Sequence, residues 1–206
     1  MSYESNQTFI SMPLLKAAGG NLEFFGEFTS FHLPALTTVD GELKFTYNYK
    51  ADTIALPLLE GITGNLRIHS NSNLKTVEMP ELIGVDGDVL VGTQADDMTG
   101  GISTPDIVGS GNVGMTSLSF AKLSTIGGAA EILDNTELMT LSLPLLAWVD
   151  NGLKVENNSS LAQCLVDGLV TQIKDNGGVG GPVVISGNNE NCSCKNVADG
   201  IEVICM

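Results

Sequence analysis

The sequence predicts a mainly β solenoid, a right-handed parallel β-helix of about six coils of 23 residues, closed at its C-terminal end by a helix and a strand. Three observations carry that expectation. A short phrase returns along the chain as Val39-Asp40-Gly41-Glu42-Leu43-Lys44, Ile62-Thr63-Gly64-Asn65-Leu66-Arg67, Val85-Asp86-Gly87-Asp88-Val89-Leu90, Ile126-Gly127-Gly128-Ala129-Ala130-Glu131 and Val149-Asp150-Asn151-Gly152-Leu153-Lys154. Pro34, Pro57 and Pro80 each lie 23 residues from the next, which sets the interval. Four cysteines, Cys164, Cys192, Cys194 and Cys205, fall where a stack of coils must be closed, and the repeats contain none.

The chain reads as one domain over 1–206, with residues 1–13 as an N-terminal cap or tail, 14–161 as the coils and 162–206 as a cysteine-containing cap. Within each coil, Leu22, Leu43, Leu66, Val89, Ala130 and Leu153 form one apolar column, and Phe24, Phe45, Ile68, Val91, Ile132 and Val155 a second. Polar residues separate the two, and this period of two is that of a short strand with one buried face. Phe31, Ile54, Val77, Leu118, Leu141 and Leu33, Leu56, Met79, Phe120, Leu143 repeat the pattern on another side. A third side carries Leu36, Leu59, Leu82, Leu123, Leu146 and Val39, Ile62, Val85, Ile126, Val149.

Asn48, Asn71, Asn135 and Asn158 form a column just after the first strand, suited to a structural ladder in which each carboxamide satisfies backbone groups at a bend. Gly41, Gly64, Gly87 and Gly128, with Gly152 shifted by one, suit turns with positive φ. The period breaks once. Ala121 replaces the next proline 41 residues after Pro80, and Pro144 follows 23 residues later, so 18 residues are inserted. The insertion is placed at about 92–115 and leaves the stack after the strand containing Val91.

After the coils, Ser160 to Lys174 places Leu161, Leu165, Leu169 and Ile173 on one helical face, stopped by Asn176-Gly177-Gly178. Pro182-Val183-Val184-Ile185 is expected to add a last strand, and Trp148 to lie beneath the cap. The cysteines read as disulfide staples, Cys164 with Cys192 or Cys194 and Cys205 with the other, the rival being a structural zinc site.

Lys and Arg number 9 against 24 acids, a formal charge of −15, which disfavours nucleic acid and anionic membranes as partners. No stretch has the length of a membrane span. Met1-Ser2-Tyr3-Glu4-Ser5 lacks the basic and apolar regions of a secretory signal, yet the cysteines point to an extracellular or cell-surface protein, so a signal or anchor is expected outside this chain.

The segment Val149-Asp150-Asn151-Gly152-Leu153-Lys154-Val155-Glu156-Asn157-Asn158-Ser159-Ser160-Leu161, followed by Cys164, resembles the end of the receptor L domain. That domain is the ligand-binding, leucine-rich-repeat-like β-helix of insulin and epidermal growth factor receptors. Internal units such as Gly64-Asn65-Leu66-Arg67-Ile68-His69-Ser70-Asn71-Ser72-Asn73-Leu74 are similar to repeats of fungal cell-wall and bacterial surface proteins of that superfamily. The likeness covers about residues 14–192 and implies a leucine-rich-repeat-like solenoid. A single domain without a cysteine-rich module departs from the receptors, and hormone binding is not carried over.

Functionally the sequence is read as a non-catalytic binding or adhesion module that takes protein or glycan through its flat sheet and loop-bearing edge. The ligand-binding candidates are Tyr47, Tyr49, Arg67, His69, Asp96 and Asp97, with His69 and Arg67 on the outward face of the first sheet. No cofactor is called for; Asp86, Asp88, Asp96 and Asp97 offer oxygens of the kind calcium takes, but their spacing matches neither an EF-hand nor an RTX nonapeptide. The outward column Glu23, Lys44, Arg67, Leu90, Glu131 and Lys154 suits cross-strand ion pairs on a wetted face. A self-associating subunit of a surface layer or appendage is the second reading. The third is a carbohydrate-active β-helix enzyme using Lys44, Arg67 or Lys154.

Overall fold

The computed structural model describes residues 8–93, 111–197 and 200–205. It is mainly β, a pile of parallel strands resembling a solenoid, with one α-helix among the described residues. The alternating segments become the seven strands of a first sheet: Leu22–Phe25, Leu43–Thr46, Leu66–His69, Val89–Gly92, Ala130–Leu133, Leu153–Glu156 and Val183–Ser186. Leu22 pairs with Leu43 and Leu43 with Leu66, so each apolar column is also a register line.

A second side carries Thr53–Ala55, Thr76–Glu78, Ser117–Ser119 and Thr140–Ser142. Thr8–Ser11 pairs in parallel with Phe28–His32 separately from these four. The third side is a seven-stranded sheet of two-residue strands running from Ala17–Ala18 to Gly178–Val179. Strands this short cannot stand alone, and the stack holds because side chains from all three sides meet in one core. Leu36, Leu43, Ile54, Leu59, Leu66, Leu82, Leu123 and Leu153 are fully buried there. Each contributes about 1.5–3 kcal/mol through removal of apolar surface from water. At the N-terminal end the core is aromatic, with Phe24 stacked on Phe45 at 4.9 Å and Phe31 edge-on to Phe45 at 4.9 Å.

Among the described residues the asparagine ladder has six members, because Asn112 and Asn188 join Asn48, Asn71, Asn135 and Asn158. Each Oδ1 after the first accepts the backbone N–H of the preceding member, at 3.0 Å for Asn48 to Asn71 and 3.2 Å for Asn71 to Asn112. Each Nδ2 reaches a strand carbonyl of the previous coil, as from Asn71 to Phe45 at 3.1 Å. The residue before five of these asparagines is left-handed: Tyr47 (φ 57°), Ser70 (58°), Asp134 (56°), Asn157 (59°) and Gly187 (67°). That single left-handed step turns the chain so that the following carboxamide faces inward.

Four expectations need correction. Gly41, Gly64, Gly87 and Gly128 do not adopt positive φ. They are small because consecutive coils nearly touch at this corner: a Cβ on Gly64 would lie 2.5 Å from the carbonyl carbon of Gly41. Only the shifted Gly152 has φ of 127°. The repeat spacing places Asn112 and Met115 in the insertion, but both are fully buried in the stack, so the return to the coil precedes them. Leu90 faces outward yet is buried rather than on a wetted face. Trp148 is 39% exposed, at the rim of the cap against Gly177 and Gly178 rather than beneath it.

The helix, α1, spans Gln163–Asn176 and buries Val166, Leu169 and Ile173. It ends at Gly177, whose N–H donates to the Ile173 carbonyl at 3.0 Å. Gln172 Nε2 donates to the carbonyls of Leu143 and Leu146, both at 2.9 Å, which fastens α1 to the preceding coil. Cys164 at its first turn bonds Cys194, and Cys192 bonds Cys205 across the antiparallel hairpin Cys192–Val197 and Gly200–Cys205. Two disulfides fit an oxidising environment. No described helix is long and apolar enough to cross a membrane.

Candidate functional site

The outward residues closing the first three strands of the first sheet are Phe25, Thr46 and His69, aligned by register. Just beyond them, at the left-handed corner, stand Tyr47 and Tyr49. Tyr47 is the hub: its ring meets Phe25 at 5.4 Å, Tyr49 at 6.1 Å and His69 at 6.0 Å, all edge-on. Edge-to-face contact sets the positive rim of one ring on the negative face of the next. Phe25 is 67% and Tyr49 39% exposed, so the rings form an open shelf. Lys50 and Glu27 make an ion pair of 2.9 Å on the same turns.

A bulky residue in the left-handed region costs about 1–2 kcal/mol. Ser70, Asp134, Asn157 and Gly187 show what the corner itself prefers. Tyr47 is therefore out of keeping with the backbone need, and what its ring does at the surface is the feature to explain. Tyr49 holds its proton more tightly than an ordinary phenol, through burial first and through Tyr47 second, so it remains a hydrogen-bond donor well into alkaline solution.

The alternation puts His69 on the open outward face, but it is 1% exposed. Its Nδ1 lies 3.3 Å from both Thr46 Oγ1 and Ser70 Oγ, and Tyr47 packs on its ring. It is a foundation for the shelf and presents little surface of its own. Arg67 points elsewhere: its Nε binds Glu42 Oε1 at 2.8 Å, beside the start of the strands. The structure thus groups Tyr47, Tyr49 and His69 and leaves Arg67 out. Asp96 and Asp97 lie outside the described residues.

Phe25 and Thr46 were not anticipated as members, although their shared register with His69 was implicit in the coil alignment. On the neighbouring outward column, Lys154 Nζ binds Glu131 Oε1 at 2.8 Å. No group of three or more metal-ligating side chains occurs among the described residues. What the shelf offers chemically is ring faces flanked by hydroxyls and one ion pair. No protein-family model, curated protein or solved structure matches this chain.

Proposed function

We propose that this chain is a non-catalytic binding module of the cell exterior, taking its ligand at the aromatic corner, on the edge that the inserted segment leaves two coils later. The reading includes a right-handed, leucine-rich-repeat-like stack of about six 23-residue coils akin to the receptor L domain. One observation carries it: Tyr47 occupies a left-handed position unfavourable for it and joins Phe25 and Tyr49 in an open aromatic shelf. The two disulfides support an extracellular setting. A stack held by its core and ladder is already ordered, so little conformational entropy is lost on binding.

The test is to immobilise the chain with its disulfides intact and screen protein and glycan arrays against the wild type and a Tyr47→Asn/Tyr49→Ser variant. Saturable binding that the variant loses supports the reading. Absence of binding, with particle size growing with concentration in light scattering, would favour the self-assembling subunit instead.

A further inference from the structure

We propose that the Phe25, Tyr47 and Tyr49 corner is a site for an uncharged glycan, whose C–H faces lie on the aromatic rings. The inference rests on the binding reading above and names its ligand class. Pyranose rings carry patches of weakly positive C–H groups on their faces and hydroxyls around their edge. The first complements the negative face of an aromatic ring. The second needs donors and acceptors at the rim, which the Tyr49 hydroxyl and the Glu27–Lys50 pair provide.

Shape favours a glycan over a protein partner. Stable protein interfaces need about 800 Å² per side with an apolar centre. Here the corner offers three linked rings, Phe25, Tyr47 and Tyr49. Ring contacts of 5.4 and 6.1 Å link Phe25 to Tyr47 and Tyr47 to Tyr49, and later coils place Ser70, Asp134 and Asn157 at the equivalent corner. A narrow run of rings with polar surroundings suits a single extended oligosaccharide. Charge restricts the class further, since a molecule of formal charge −15 with Glu27 at the rim repels uronate, sulfate or sialate chains.

Titration calorimetry with soluble cello-, laminari-, chito- and manno-oligosaccharides tests the proposal, with polygalacturonate as the anionic control and the full disulfide-bonded chain as receptor. At least one neutral series should bind saturably. Tyr49→Ser and Tyr47→Asn should each weaken it roughly tenfold, the order expected for loss of one stacked ring. Asn suits the left-handed corner, as Asn157 shows, so Tyr47→Asn keeps the fold, and its melting curve verifies this. Lys154→Gln should leave binding unchanged. Binding that survives both aromatic substitutions would overturn the site. Retention of a protein ligand through the same rings, with no neutral glycan bound, would overturn the ligand class while leaving the binding reading intact. No retention of any ligand would overturn both.

Discussion

Asn112 and Asn48 hold equivalent places in the ladder and should respond differently to truncation. Asn112 Oδ1 accepts both the N–H of Asn71, at 3.2 Å, and its Nδ2, at 3.0 Å. Asn112→Ala therefore strands the buried N–H of Asn71, whose Nδ2 keeps the Phe45 and His69 carbonyls, and we expect a loss of about 1–3 kcal/mol in urea unfolding. Asn48 Oδ1 has no partner among the described residues, so Asn48→Ala strands no donor and should cost at least about 1 kcal/mol less. Equal losses would show that the carboxamides act only as fillers. Glycines give a second comparison. Gly64→Ala forces a methyl to within 2.5 Å of Gly41 and should cost about 1–3 kcal/mol, whereas a Cβ on Gly61 meets nothing within 4 Å and Gly61→Ala should stay within about 0.5 kcal/mol. That these glycines mattered was legible in their column; the reason was not, because small size for close approach and freedom of φ select the same residue.

At the scale of strands, the Glu131–Lys154 pair joins neighbours in register. The hydrogen bond and charge of Glu131 raise the Lys154 pKa. The stabilisation is thus fully present below the ordinary lysine pKa and is lost as pH rises through the raised value, in strongly alkaline solution. Both side chains are partly solvated, so a double-mutant cycle with Lys154→Met and Glu131→Gln should return about 0.2–1 kcal/mol at neutral pH, less in high salt and nothing once the lysine is neutral. The apolar columns and their partners were readable because a repeat must put like residues over like. Asn112 was hidden by the 18-residue offset between Asn71 and its next partner. His69 and Leu90 show a different gap: alternation tells which way a side chain points and says nothing of what covers it. The corner of Tyr47 and Tyr49 was legible as two aromatics without a core to fill, while Phe25 counted only as a strand residue.

Across the whole molecule the two ends are unequally secured. The C-terminal end has α1 and two disulfides closing sequence separations of 30 and 13 residues. At the other end, inward Ile10, Met12, Leu15, Ala18 and Leu22 are only partly covered. Amides of Leu22–Phe25 should therefore exchange with deuterium well before those of Ala130–Leu133. Reducing both disulfides should cost about 2–4 kcal/mol per bridge and speed exchange in α1, with little change at Leu22–Phe25. Uniform acceleration along the chain would instead mean that the stack opens as a single unit.

The ladder hands its protons in one direction, from each asparagine to the carboxamide that follows. Shortening the pile from the N-terminal side would always leave one idle acceptor, however much is removed. Shortening it from the other side would leave idle donors at the cut. Excising one whole 23-residue period from the middle would rejoin donor to acceptor with nothing left over. Copy number is thus an adjustable property of this architecture, altered cheaply in whole periods and at substantial cost in any fraction of one.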